Sequence, residues 1–102
     1  MAEARRSATR HVVSLVATCG VDTTKRSCTI VNLSLGGALL AIGTKLAMGT
    51  RVQLSFSVPV VTEPIEVGAI VRWSDENATG IQFDGLRAKE VWALNKYFEE
   101  LP

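Results

Sequence analysis

The chain has 102 residues, of which 47% are hydrophobic, so we expect one domain with a packed core. Its formal net charge of +1 argues against a broad basic surface for a nucleic acid polymer, and any anion site must be local. No apolar run approaches the roughly 18 residues of a membrane-spanning helix, which predicts no membrane insertion. Two cysteines and a basic N-terminus without an apolar signal segment indicate a reducing cytoplasm.

Residues 1–9 lack apolar periodicity and are predicted to form a flexible basic arm ahead of a single domain at 10–102. The arm carries Arg5 and Arg6, and Arg10 follows it directly. These arginines belong either to a solvated tail or to a segment that orders around an anion. Arginine suits the second role because its planar fork binds a phosphate or a guanine edge with two hydrogen bonds.

The middle of the chain is rich in β-branched residues and alternates between apolar and polar positions, which predicts strands. The predicted strands cover 11–19, 27–31, 37–42, 50–58, 64–74 and 79–83. In the fifth of them, Trp73 belongs to the same apolar face as Ile65. A hairpin turning on residues 23–24 would place Cys19 opposite Cys28, and there we expect two reduced thiols in preference to a disulfide.

A short polar, glycine-rich segment, Asn32-Leu33-Ser34-Leu35-Gly36-Gly37, separates the second and third predicted strands. Asn and Ser side chains hydrogen-bond to nearby backbone, and glycine permits tight turns or the close approach of another group. On these residues alone, a plain hairpin turn and a binding site are equally consistent with the segment.

Residues 86–101 change to helical spacing, with apolar residues on one face. Trp92 falls on the polar face, which is unusual for so large an apolar side chain. A partly covered surface residue, a contact with a partner and a docking point for the N-terminal arm all remain open.

Six short strands followed by one amphipathic helix predict a mainly β protein, a small six-stranded antiparallel β-barrel with a C-terminal α-helix. Side chains fill the interior of a barrel of this size, so function is expected on its outer surface or at its mouth. One histidine and two cysteines do not assemble into a nucleophile–base pair or a metal cluster. We therefore predict neither an enzyme nor a metal site.

Two motifs stand about 22 residues apart, Arg6-Ser7-Ala8-Thr9-Arg10 and the segment from Asn32 to Gly37. The first is similar to the RxxxR motif of the PilZ domain family, and the second is similar to its [D/N]xSxxG motif. Residues 79–86 resemble the family's last strand running into its helix. The resemblance covers essentially the whole chain and agrees with the barrel predicted above.

The resemblance implies a stand-alone bacterial receptor for cyclic di-GMP, with no cofactor. The implied ligand-binding residues are Arg5, Arg6, Arg10, Asn32, Ser34, Gly36 and Gly37. The arginines would bind the phosphates and the O6 and N7 atoms of guanine, while Asn32 and Ser34 would add short polar groups from the barrel. Gly37 would let the ligand approach the backbone, and the arm would order over the ligand.

The ordered arm would then transmit the signal to a protein effector, for example in motility, pilus or exopolysaccharide machinery, and a homodimer is also open. A first alternative is a PilZ-like protein interaction module that does not bind the nucleotide. A second is a small barrel for single-stranded nucleic acid, which the near-zero charge and the scarcity of aromatic residues disfavour.

Overall fold

A computed structural model describes residues 9–102. The arm, including Arg5 and Arg6, lies outside the described residues except for Thr9, so the predicted arm boundary remains a prediction. The described part folds into six strands and a C-terminal helix, which are β1 (His11–Val21), β2 (Thr24–Leu33), β3 (Gly37–Ala41), β4 (Arg51–Phe56), β5 (Ile65–Ser74), β6 (Thr79–Phe83) and α1 (Ala88–Glu99). No helix within these residues is long and apolar enough to cross a bilayer.

The six strands close into an antiparallel barrel in the order β1-β2-β3-β6-β5-β4, and β4 pairs back onto β1. This confirms the predicted fold class. Inward-facing side chains from every strand fill the interior, among them the fully buried Ile30, Leu40 and Leu54. Leu94 of α1 is equally buried, so the helix packs its apolar face against this core. Side chains thus fill the interior, as expected of a barrel of this size.

The first hairpin turns one residue earlier than predicted, on Asp22 and Thr23. Asp22 adopts a φ of 54°, in the left-handed region that aspartate tolerates better than most residues. As a result Cys19 pairs with Arg26, and the predicted placement of Cys19 opposite Cys28 is wrong. Both thiols are free and buried, and burial together with the neighbouring Cys19 raises the pKa of Cys28 to about 11.

Two irregularities in strand pairing decide which side chains face outward. In β2, the register shifts between Ile30 and Asn32, and in β5 it shifts between Val71 and Trp73. An extra residue in one strand reverses the inward and outward alternation beyond it. The prediction that Trp73 shares the buried face of β5 is therefore wrong, because its side chain is 46% exposed on the outside.

Helix α1 is shorter at both ends than predicted and begins after Arg87. The Arg87 backbone N–H donates to Glu90 Oε1 at 2.9 Å, and the Arg87 side chain donates to Glu90 Oε2. These contacts hold the pKa of the Glu90 carboxyl below its ordinary value, chiefly through the side-chain hydrogen bond. At the other end of the helix, the Phe98 ring stacks on His11 of β1 with ring centroids 3.9 Å apart.

Candidate functional site

The turn between β2 and β3 is closed by the hydroxyl group of Ser34. Its Oγ accepts hydrogen bonds from the backbone N–H groups of Gly36 and Gly37, both at 3.1 Å, and donates to the Gly37 carbonyl at 3.3 Å. The Ser34 N–H also donates to the Gly37 carbonyl, at 2.9 Å. The one donor and two acceptor positions of this hydroxyl are thus used within the turn. A ligand contact by Ser34 remains a prediction, and it would require one of these bonds to open.

The same turn is fastened to strand β6. The Phe83 N–H donates to the Gly36 carbonyl at 2.9 Å. A Cβ atom on Gly37 would lie 3.2 Å from the carbonyl carbon of Ile81 and closer still to its oxygen. The backbone of β6 therefore requires glycine at position 37, a packing reason that is independent of any ligand. The turn is thus held against β6 by both a hydrogen bond and close packing.

Beside the turn lies a groove with a volume of about 340 Å³. It crosses the outer face of β3, β6 and the end of β5, and its lining residues are Arg10, Ser34, Gly36, Gly37, Ala38, Arg72, Trp73, Gly80, Ile81 and Gln82. The structure thus brings four predicted site residues together, namely Arg10, Ser34, Gly36 and Gly37. Arg5 and Arg6 lie outside the described residues.

Asn32 is not among the lining residues of this groove. It lies on β2 beside the register shift, between Val12 of β1 and Leu39 of β3. Its Oδ1 atom is buried and has no hydrogen-bond partner within residues 9–102. A buried acceptor without a partner is uncommon and unfavourable, so this atom can accept a donor from outside the described chain.

Sequence reasoning missed the part of the groove that β5 and β6 supply. The register shift in β5 places both Arg72 and Trp73 on the outer surface, next to Gly80 and Gln82 of β6. A Cβ atom on Gly80 would lie 2.7 Å from Cε2 and 2.9 Å from Cδ1 of Trp73. The indole therefore occupies the space that a side chain at position 80 would need. The available signal for this part of the groove was Gly80, a glycine in the strand that pairs with the strand carrying Trp73.

The groove combines three chemical elements. Trp73 offers an aromatic surface, Arg10 and Arg72 offer positive charge and hydrogen-bond donors, and the glycine and alanine residues of the lining add little side-chain volume. Such a set suits a planar, anionic ligand, because aromatic rings stack on bases and guanidinium groups pair with phosphates. Between residues 9 and 102, no group of three or more His, Cys, Asp or Glu side chains is placed to hold a metal ion.

Comparison with protein families agrees with this architecture. The PilZ domain model matches residues 4–100. The chain belongs to the PilZ domain family. No curated protein sequence matches it significantly. Among solved structures, the PilZ domain of CeSA from a cellulose-synthesizing bacterium is similar at a TM-score of 0.72 and 14% identity, over 89% of this chain and 96% of that one.

Two longer proteins also contain a similar barrel. Bacillus subtilis Inhibitor of motility (MotI/DgrA) matches at a TM-score of 0.72 and 23% identity, over 86% of this chain and 46% of that one. The Borreliella burgdorferi PlzA protein, solved in complex with c-di-GMP, matches at 0.68 and 22%, over 88% and 39%. This PilZ domain thus spans less than half of either protein. At these identities the likeness establishes the fold.

Proposed function

We propose that this PilZ domain is a cytoplasmic receptor for cyclic di-GMP, without enzymatic activity. The nucleotide binds in the groove beside the turn, which we therefore call the nucleotide groove. One observation carries the proposal: an exposed indole and two arginine side chains line the same groove as Ser34, Gly36 and Gly37 of the turn, in a chain of the PilZ family. A volume of about 340 Å³ is within the range of small-molecule sites, roughly 300–1,000 Å³.

The groove residues match the chemical groups of the ligand. A guanine base stacks on Trp73, while Arg10 and Arg72 pair with phosphate oxygens or with the O6 and N7 atoms of guanine. Ser34 acts mainly by fixing the turn, since its hydroxyl is already used there. Gly36 and Gly37 carry no side chains, so the ligand can approach the backbone of the turn closely.

The N-terminal arm completes the proposed site. Arg5 and Arg6 would add donors from the arm when it orders over the ligand, and this ordering would present a new surface to a protein effector. The Oδ1 atom of Asn32 is a buried acceptor with no partner within residues 9–102, which supports a donor arriving from the arm. Motility machinery is one class of effector, in line with the name of the similar Bacillus protein.

Thermal unfolding with and without cyclic di-GMP tests the proposal. A ligand that binds only the folded state adds about 2.7 kcal/mol of stability at roughly 100 times its dissociation constant. For a domain of this size that raises the melting temperature by about 10 °C or more. GMP at the same concentration is the ligand control, and we expect it to give a much smaller shift.

A matched pair of variants locates the site. Arg10→Ala removes a lining guanidinium and should reduce the shift without unfolding the barrel, because this side chain is exposed. Arg26→Ala, an exposed arginine that does not line the groove, should leave the shift unchanged. A folded wild-type protein that shows no shift with saturating nucleotide would overturn the receptor and favour the alternative, a protein interaction module. Equal loss in both variants would overturn the location.

A further inference from the structure

A second groove lies between the link from β4 to β5 and the first turns of α1. We call it the helix groove, and its lining residues are Val61, Glu63, Pro64, Ile65, Lys89, Glu90, Trp92 and Ala93. Its volume is about 340 Å³, and its deepest residues, Ile65 and Ala93, are each 3% exposed. No described residue lines both this groove and the nucleotide groove.

Trp92 stands at the rim of the helix groove with 55% of its surface exposed. This confirms the prediction that Trp92 lies on the polar, outer face of α1. Tryptophan is among the residues most enriched at the energetic centres of interfaces, and here it stands beside a cavity. The groove therefore presents both a projecting side chain and a cavity that can receive one.

The charges on the two walls are opposite in sign and balanced. Lys89 on the helix wall lies 4.0 Å from Glu63 on the link wall, with 64% and 83% of their side chains exposed. So exposed a pair contributes little within one molecule, and both groups remain available for other contacts. The third charged lining residue, Glu90, is already bound by Arg87.

We propose that the helix groove is a self-association surface, on which a second copy of this chain docks around a two-fold axis. Trp92 of each copy enters the groove of the other, and Lys89 of one copy lies beside Glu63 of the other. A two-fold interface must be complementary to itself, and a surface carrying one projection, one cavity, one cation and one anion meets that condition. A strongly acidic or strongly basic partner would leave one of the two charged residues facing its own sign.

Sedimentation velocity of the full chain over a range of concentrations tests the proposal. We expect a reversible monomer–dimer equilibrium, weakened roughly 30-fold or more by Trp92→Ala, as for a residue at the centre of an interface. Trp73→Ala is the matched control, because that tryptophan is similarly exposed but lines the other groove. A wild-type protein that stays monomeric throughout, or a dimer that Trp92→Ala leaves unchanged, overturns the proposal.

Charge reversal distinguishes contacts between copies from contacts within one. Lys89→Glu gives both walls a negative charge, and Glu63→Lys gives both a positive charge, so each variant alone should associate more weakly than the wild type. When the two variants are mixed, opposite charges meet across the axis, and a heterodimer should form. The pair within each chain remains repulsive in the mixture, so only contacts between copies explain the recovery. A mixture that associates no better than its components contradicts the proposed arrangement.

Discussion

The contact between Trp73 and Gly80 allows a test by a double-mutant cycle. In the wild type, Gly80→Ala would place a methyl group 2.7 Å from an atom of the indole, so the ring must move. Forcing an extra methyl group into an occupied space costs about 1–3 kcal/mol. Replacing glycine by alanine within a strand also stabilises the backbone, by about 0.5–1 kcal/mol. We therefore expect a net loss of stability when Trp73 is present.

The same substitution in a Trp73→Ala background should have the opposite sign. The indole is gone, so only the backbone gain of about 0.5–1 kcal/mol remains. The coupling between the two positions then equals the cost of the clash, about 1–3 kcal/mol, well above the roughly 0.3–0.5 kcal/mol expected of independent sites. Urea unfolding followed by circular dichroism measures all four proteins. Additive effects within that limit would refute the argument that the indole occupies the space a side chain at position 80 would need.

The cycle also has a functional readout. If a guanine base stacks on Trp73, moving the ring should cost about 1–3 kcal/mol of binding, which is roughly 5-fold to 150-fold in affinity. Gly80→Ala and Trp73→Ala should then weaken cyclic di-GMP binding to a similar extent, as measured by calorimetry on folded protein. If both variants bind as tightly as the wild type, the indole is not the stacking surface.

Two further predictions concern residues around the turn and the helix. Gly37→Ala should destabilise the barrel by about 1–3 kcal/mol, because the backbone of β6 fills the space that the new methyl group needs. Gly36→Ala should change the free energy of unfolding by no more than about 0.5 kcal/mol, since the atom nearest to its added Cβ is 3.8 Å away. Equal effects of the two substitutions in urea unfolding would contradict this. Glu90→Gln should be less stable than the wild type at neutral pH, and the difference in unfolding free energy should shrink on acidification below about pH 4. The pKa of Glu90 is lowered in the folded protein, so its carboxyl stabilises the fold only while it is ionised. A difference that stays constant from about pH 6 to pH 3 would contradict the role of Arg87.

The architecture was predictable because apolar alternation marks a strand wherever one face is buried. All six strands and the helix lie where the pattern predicts them, with shifts at their ends. The first hairpin was misplaced by one residue, since the sequence alone does not reveal that Asp22 adopts a left-handed conformation. That single step changed which residue faces Cys19.

The candidate site was only partly predictable, because it depends on strand pairing as well as on local sequence. The turn from Asn32 to Gly37 carries a recognisable local sequence, and the structure places Ser34, Gly36 and Gly37 at the groove. Trp73 was assigned to the interior because its spacing fits the buried face, and the register shift that turns it outward arises from pairing with β6. Local alternation contains no information about such pairing irregularities.

The nucleotide groove crosses the pairing between β3 and β6, where Leu40 meets Thr79 and Gly37 meets Gln82. These strands are far apart in the chain, and closing such a long loop is entropically costly. A peptide containing only the turn at residues 32–37 would lack the half of the groove that β5 and β6 supply. A ligand held across this pairing acts as a reversible cross-link between distant parts of the chain, and it should lengthen the lifetime of the folded barrel more than it speeds folding.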